Sequence, residues 1–342
     1  MTHIQLPISK SIANRLLILQ ALSGEPLLDV SASATPDDVL LMRNALEAIN
    51  NGAEEINIEN CGTAMRFLTA YCAQLEGRTI LLTGSPRMQK RPIGQLVEAL
   101  TRFGADIWYD GERNYPPLRI HGKKLVTPVL EYVSGKPITI RIPDSSQYIS
   151  AMLLIGLNAD ATKSSPYIRM TRAMCAKWKA GQRHFEERDW SSAAFWYEYV
   201  ALHGGQLHLD GLTNSDLQGD QVIAKWFRRL GVETTFTKDG VIIEKSKRTI
   251  HLPYIIDFAN NPDLYPVMAI TCRQLHVPLI ARGTASQRIK ESDRLESVKT
   301  RQTQGDHRIA MSLLAADLPC DDVDCVRKSY PGFYEQLCQL RG

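Results

Sequence analysis

Apolar residues along the chain fall into alternating helical and strand periods, with no low-complexity linker between them. One junction repeats. A short polar motif stands directly before an apolar helical stretch at Ser9-Lys10-Ser11, Cys61-Gly62-Thr63, Ser145-Ser146-Gln147, Asp189-Trp190-Ser191-Ser192, Asn261-Pro262-Asp263 and Asp306-His307-Arg308. The periodicity predicts helices over about 12–22, 63–75, 147–158, 193–202, 263–274 and 307–316. Ser, Thr, Asp and Asn accept hydrogen bonds from the unpaired amides of a first turn, and Pro262 suits a first helical position, so all six openers read as caps. Two more helices are expected, over 39–48 behind Asp37-Asp38 and over Gly94–Arg102 behind Pro92. A glycine followed by β-rich text closes several of them: Gly77 leads to Thr79-Ile-Leu-Leu-Thr83, and Phe103-Gly104 and Leu230-Gly231 lead to similar stretches. Helix, glycine, strand is the recurring unit, which argues for an α/β architecture of repeated modules.

Charge changes this picture. First turns ordinarily favour acids, because a cation there opposes the helix dipole. Here Lys10, Arg15, Arg66 and Arg308 stand in or beside the opening turns, and Arg87, Lys90 and Arg91 precede the helix at Gly94. Such placement points to bound anions rather than to helix stability. The densest stretch is Gln287 to Leu295, with Arg288, Lys290, Glu291, Asp293 and Arg294 between apolar flanks. If helical from about Ile289, it puts Lys290 and Arg294 one turn apart, on a face able to hold a phosphate or carboxylate with Glu291 alongside. The alternative is a solvated helix start whose charges pair with one another.

The 342 residues, 44% of them apolar, can bury one or two cores, and two domains are expected. No apolar run approaches the roughly 20 residues of a membrane span, and the start lacks a basic region followed by a hydrophobic one; a cytoplasmic protein without a membrane partner is expected. Lys plus Arg number 40 against 37 Asp plus Glu, a net +3 too balanced for a general nucleic-acid surface. The seven cysteines are odd in number and lack C-x-x-C spacing, so most are expected to be small core residues, with no metal site.

The motifs Ser9-Lys-Ser-x-x-Asn-Arg15, Asn60-x-Gly-Thr-Ala-Met-Arg66, Pro86-Arg-Met-x-x-Arg-Pro-Ile93, Ser145-Ser-Gln147, Ser164-x-Pro-Tyr167, Pro262-Asp263, Arg288-x-Lys-Glu-Ser-Asp-Arg-Leu295, Asp306-His-Arg308 and Lys328-x-Tyr-Pro331 stand in one order. In that order they resemble the 5-enolpyruvylshikimate-3-phosphate (EPSP) synthase family, from residue 7 to about 338. The resemblance implies transfer of the enolpyruvyl group of phosphoenolpyruvate to the 5-hydroxyl of shikimate 3-phosphate, without a cofactor. It implies the two-domain enolpyruvyl transferase fold, each domain of three repeated units with helix N-termini facing an interdomain cleft. One domain is expected at 9–187, binding both substrates, and the other at 188–342 plus the N-terminal strand 1–8, carrying the catalytic Asp, Glu and Arg motifs. By position, phosphoenolpyruvate falls to Lys10, Gly62, Arg91, Arg294, Arg308 and Lys328. Shikimate 3-phosphate falls to Lys10, Ser11, Arg15, Ser145, Ser146, Gln147, Ser164, Tyr167, Asp263, Ser286 and Lys290. Asp263 is the candidate acid–base group at the hydroxyl and Glu291 at the methylene carbon, with Lys10 supplying a proton; His307 is given a structural role. A monomer is expected, with these two small molecules as its partners.

The chain departs from the family in places. Cys61 replaces the usual Ala, with consequences expected for the phosphoenolpyruvate pocket and for glyphosate sensitivity, and Ser286 replaces a common Asn. Val298 to Gly305 joins two motifs that the family separates by a helix and strands, and Cys175 to Arg188 is similarly abridged. The related UDP-N-acetylglucosamine enolpyruvyl transferase expects Lys-Asn near the start, where this chain has Lys10-Ser11, and a loop cysteine, where the basic loop here ends Arg91-Pro-Ile93. An RNA-end phosphate cyclase gives no reason for Ser145-Ser-Gln147 or Lys290-Glu-Ser-Asp-Arg294, and a non-catalytic nucleic-acid binder would need basic and aromatic runs.

Overall fold

A computed structural model of the chain describes residues 1–30, 35–126, 132–133, 136–137, 140–141, 145–157, 159–160, 165–247 and 253–342. Ser164, one of the expected substrate ligands, lies outside them. Contacts divide the chain into two compact units. A central unit comprises Ser11–Asp29 and Asp38–Phe185; a terminal unit comprises Met1–Lys10, Val30–Asp37 and Glu186–Gly342.

In the central unit, helices α1 (Lys10–Ser23, its first residue belonging to the terminal unit), α2 (Asp37–Asn50, likewise) and α3 (Gly62–Ala73) accompany strands β2 (Glu55–Asn57) and β3 (Thr79–Thr83). Helix α4 (Gly94–Arg102) leads to β4 (Asp106–Tyr109) and β5 (Leu118–His121). The sheet order is β2-β3-β5-β4: a parallel pair, Ile56 beside Leu82, then two antiparallel strands. Short pairs β6 (Tyr132–Val133) with β7 (Lys136–Pro137) and β8 (Ile140–Arg141) with β9 (Ala159–Asp160) flank helix α5 (Ser146–Leu154), and α6 (Pro166–Lys179) follows.

The terminal unit repeats the plan. Strands β1 (Thr2–Gln5), β10 (Gln206–Asp210), β12 (Gly240–Lys245) and β11 (Val232–Phe236) stand in the order β1-β10-β12-β11, again a parallel pair followed by two antiparallel strands. Strands β13 (Tyr254–Asp257) and β14 (Leu279–Arg282) form a second parallel pair. Helices α7 (Trp190–His203), α8 (Val222–Arg228), α9 (Tyr265–Gln274), α10 (Arg294–Thr300), α11 (His307–Ala315) and α12 (Phe333–Arg341) complete the unit. The same strand pattern in both units is the physical form of the repeated helix–glycine–strand text.

Helix α4 and strand β3 occupy the residues that periodicity predicts, and Gly104 and Gly231 supply the left-handed residues after their helices, at φ 88° and 84°. Two helices differ. The stretch expected at 147–158 stops at Leu154, because Gly156 turns left-handed at φ 82°. The stretch expected from 263 opens as a 3-10 turn over Pro262–Leu264, and the α-helix starts at Tyr265 with Pro266 in its first turn. Capping also differs in detail. Asp189 and Asp306 accept from the amides of Ser191 and Arg308, but Ser145 and Asn261 make no side-chain cap bond, and Cys61, not Thr63, caps α3. Ser165 and Asp293 cap α6 and α10.

Helix α7 is apolar nearly all round and lies at the centre of the terminal core, with Trp196, Tyr330 and Phe333 stacked against one another. It carries one buried acid. Glu198 accepts from the Ser312 hydroxyl of α11 at 2.7 Å, and burial pushes its carboxyl well above the usual range although Ser312 and Thr271 pull it back. A folded pKa above the unfolded one contributes stability that is complete below the unfolded value, about 4.3, and is lost as pH rises through the folded value. Glu198→Gln should therefore gain on wild type as pH rises from 5 to 8 in urea unfolding. A difference independent of pH would contradict this.

Candidate active site

The terminal unit gathers most of the expected chemistry. Lys10 is fixed by the strand-like pairing before it: Asp189 donates its amide to the Pro7 carbonyl at 3.1 Å and Ser9 donates its amide to the Glu187 carbonyl at 2.8 Å. Asp263 sits in the 3-10 turn that leads into α9. Lys290 and Glu291 lie between a 3-10 turn, Ala285–Ile289, and α10. This corrects the helix expected from Ile289. Asp293 accepts from the amides of Leu295 and Glu296, so the α-helix begins at Arg294 and leaves Lys290 in extended backbone. Ser286 is half-buried in the preceding turn, which Gln287 ties to the Pro262 carbonyl at 2.7 Å.

Three cations surround Asp263. Arg294 Nη1 stands 2.9 Å and Lys290 Nζ 3.4 Å from its Oδ1, and Arg308 Nη2 stands 3.0 Å from its Oδ2. Burial opposes the charge, yet Arg308, Lys290 and Arg294 together hold this carboxyl well below the usual range. Glu291 is built similarly. Its Oε1 is 3.2 Å from Lys328 Nζ and its Oε2 2.8 Å from His307 Nδ1, off the line of a hydrogen bond; these partners, with Lys10, outweigh burial and hold it ionised. Burial keeps His307 below the ordinary histidine value, with Lys10 and Arg308 adding to it and Glu291 pulling against it.

Arg294 is the buried centre of this network, 1% exposed. It donates Nε to Asp306 Oδ2 at 2.7 Å as well as Nη1 to Asp263. Asp306 also accepts from the Ser292 hydroxyl and the Arg308 amide. One residue thus caps α11 and holds Arg294. Behind Asp263, buried Asp220 accepts from Asn261 at 2.9 Å and Ser191 at 2.5 Å.

The central unit collects a second group. Arg15 is buried and donates Nη1 to the Ser11 carbonyl at 2.7 Å, Nε to Thr171 Oγ1 at 2.7 Å, and Nη2 to Ser150 Oγ and the Tyr167 carbonyl. Arg66 reaches the carbonyl four residues back in the same way, at Gly62, and also the Pro92 carbonyl. Burial lowers both arginines to about 10. These first-turn cations therefore brace helix starts through backbone oxygens. Gln147 donates to Thr63 Oγ1 at 3.3 Å, which joins the starts of α5 and α3; Ser145 and Ser146 stand at the first of these. Arg91 lies over Gly62, where an added Cβ would come within 2.5 Å of its Nη1, and its buried Nε has no hydrogen-bond partner among the described residues. Cys61 is buried, turned toward the Asp38 carbonyl and the Ala64 amide.

Sequence reasoning left Asp306 and His307 as a cap and a structural ring, and it missed Asp220, Ser150 and Thr171 altogether. The triplet Asp306-His307-Arg308 was the available signal for the first two; nothing local marks the others. Glu291, Asp306 and His307 bring donor atoms close enough for a metal ion, but Lys328 and Arg294 already neutralise the two carboxylates.

A family model described as EPSP synthase (3-phosphoshikimate 1-carboxyvinyltransferase) matches residues 37–181 and 175–301, two segments that overlap at 175–181. The chain is 35% identical to a 3-phosphoshikimate 1-carboxyvinyltransferase of Bacteroides fragilis, with 98% of this chain and 94% of the relative covered. That match runs over 400 positions against 342 residues here, so the relative carries segments that this chain lacks. A chloroplastic relative from Solanum lycopersicum is 29% identical over 98% of this chain and 81% of its own length. In fold, the chain is similar to a solved EPSP synthase from Acinetobacter baumannii, with TM-score 0.67, 20% identity, and 99% and 95% of the two chains covered. The chain belongs to the EPSP synthase (3-phosphoshikimate 1-carboxyvinyltransferase) family.

Proposed function

We infer that the chain transfers the 1-carboxyvinyl group of phosphoenolpyruvate to the 5-hydroxyl of 3-phosphoshikimate. The observation that carries the residue roles is the pairing of two carboxylates, Asp263 and Glu291, each ringed by its own cations in the terminal unit. In the addition step the hydroxyl oxygen bonds to C2 of the enol phosphate, its proton passes to Asp263, and a proton reaches the methylene carbon to make a methyl group. In the elimination step a methyl proton leaves, the double bond reforms and the C2–O bond to phosphate breaks. Glu291 handles the carbon-bound proton and is reprotonated through Lys10, which lies within its electrostatic reach.

Phosphoenolpyruvate is assigned to Lys10, Gly62, Arg91, Arg308 and Lys328. Arg294, with Nε and Nη1 spent on Asp306 and Asp263, contributes by fixing those groups. The sugar-like substrate is assigned to Ser11, Ser145, Ser146, Gln147, Tyr167, Asp263, Ser286 and Lys290, with Arg15 ordering the Ser11 and Tyr167 backbone. Nothing in this chemistry calls for a metal, a nucleic acid or a lipid, and no described helix is long and apolar enough to cross a membrane. A monomeric cytoplasmic enzyme fits the reading.

The decisive assay is phosphate release from phosphoenolpyruvate with 3-phosphoshikimate, run in parallel with UDP-N-acetylglucosamine. Turnover with the first acceptor only is expected; turnover with the sugar nucleotide only would overturn the assignment. A second expectation concerns Gly62. In Gly62→Ala the new methyl displaces the Arg91 guanidinium. One charged hydrogen bond is worth about 1.5–3 kcal/mol, so KM for phosphoenolpyruvate should rise roughly 10- to 100-fold with kcat little changed. An unchanged KM would remove Arg91 from that site.

A further inference from the structure

Away from these residues, the face of the terminal sheet opposite Ile4, Leu207 and Leu209 brings two histidines and an aspartate together. Parallel pairing sets His3 of β1 beside His208 of β10 and Gln5 beside Asp210. His3 Nδ1 lies 2.7 Å from Asp210 Oδ1, and His208 Nδ1 approaches the same oxygen. The three donor atoms lie within 4.8 Å of one another, and the rings are 4.7 Å apart. His208 is buried, His3 exposed.

His208 Nε2 is 3.3 Å from Thr237 Oγ1 and 3.5 Å from Asp239 Oδ1, and that carboxylate can only accept. Both ring nitrogens of His208 thus face carboxylate oxygens, Nε2 that of Asp239 and Nδ1 that of Asp210. His3 Nδ1, His208 Nδ1 and Asp210 Oδ1 lie close enough together to share one cation. Gly240 makes room for the ring, since a Cβ there would lie 2.7 Å from its Cε1. Metal-bound histidines usually set their other ring nitrogen against a carboxylate, the place that Asp239 takes beside His208 Nε2. No Lys or Arg is paired with Asp210 among the described residues, unlike the carboxylates around Arg294.

We propose that His3, His208 and Asp210 bind one zinc-class divalent ion that fastens β1 to β10. Two imidazole nitrogens and one carboxylate oxygen suit an ion of intermediate softness, with Gln5 or a water completing four ligands. Tetrahedral bonds of about 2.0–2.2 Å require both histidine nitrogens to draw back from Asp210 Oδ1 by roughly an ångström from their present hydrogen-bond spacing. The ion would secure the strand that precedes Lys10, outside the reacting groups.

The test is calorimetric titration of the chelator-treated full chain with ZnCl2, with melting temperature followed in parallel. One zinc per chain is expected, together with a zinc-dependent rise in melting temperature. Asp210→Asn and His3→Ala should each weaken binding at least tenfold, and His3→Ala, at an exposed side chain, should melt like wild type without zinc. Glu291→Gln should bind zinc normally. No stoichiometric zinc in wild type, or zinc retained in both Asp210→Asn and His3→Ala, would overturn the site; so would zinc lost in Glu291→Gln alone.

Discussion

Glu291→Gln is expected to lower kcat by about 10²- to 10⁴-fold, the range that a positioned general acid–base group contributes, while both substrates still bind. The amide keeps the shape of the carboxyl but cannot shuttle a proton to carbon. The cations beside it explain why binding survives: Lys328 and Lys10 lose a neutralising neighbour, so their pull on an anionic substrate does not fall. Steady-state phosphate release gives kcat, and calorimetry with each substrate gives the affinities. A kcat within tenfold of wild type would take Glu291 out of the chemical step, whereas an equal loss of binding and turnover would make it a structural partner of Lys328 and His307.

The parts of this arrangement that the sequence discloses are local ones. Helix Gly94–Arg102 and strand Thr79–Thr83 follow from period and flanking residues alone, and the ordered motifs identify the family because each is read within a few positions. The start of α10 is missed because two local signals compete. The charge spacing from Lys290 to Arg294 suits a helix, but the Asp293 side chain satisfies two free amides and sets the boundary five residues later than expected. Arg15 and Arg66 have partners that local reading does not disclose. Their position in opening turns suggests anions, but the oxygens that hold Arg15 come partly from Ser150 and Thr171, 135 and 156 residues away. Long-range pairing of that kind leaves no trace in periodicity. The link after α10 is closed by left-handed residues at Arg301, Gln304 and Gly305, followed at once by the Asp306 cap, and it keeps Arg294 and Asp306 in register.

That pair carries the second large effect. Arg294→Met should lower unfolding free energy by about 3–5 kcal/mol, the cost of removing one partner from a buried ion pair. Arg294 is 1% exposed and Asp306 0%, so solvent cannot replace the lost guanidinium. Among the described residues, Asp306 would keep the Ser292 hydroxyl and the Arg308 amide, and Asp263 would keep Lys290 and Arg308. The double variant Arg294→Met, Asp306→Asn separates an uncompensated charge from a packing defect, because residues in one network do not add. If the stranded carboxylate is the cause, the double variant recovers a good part of the loss, and the recovery is larger at pH 7 than at pH 4, where the unpaired Asp306 of the single variant takes up a proton. Urea unfolding of the four proteins at both pH values measures this. A single-variant loss under about 1 kcal/mol would mean that the pair contributes no more than a surface salt bridge, and the site would then owe its order to Asp293 and the turn before it rather than to Arg294.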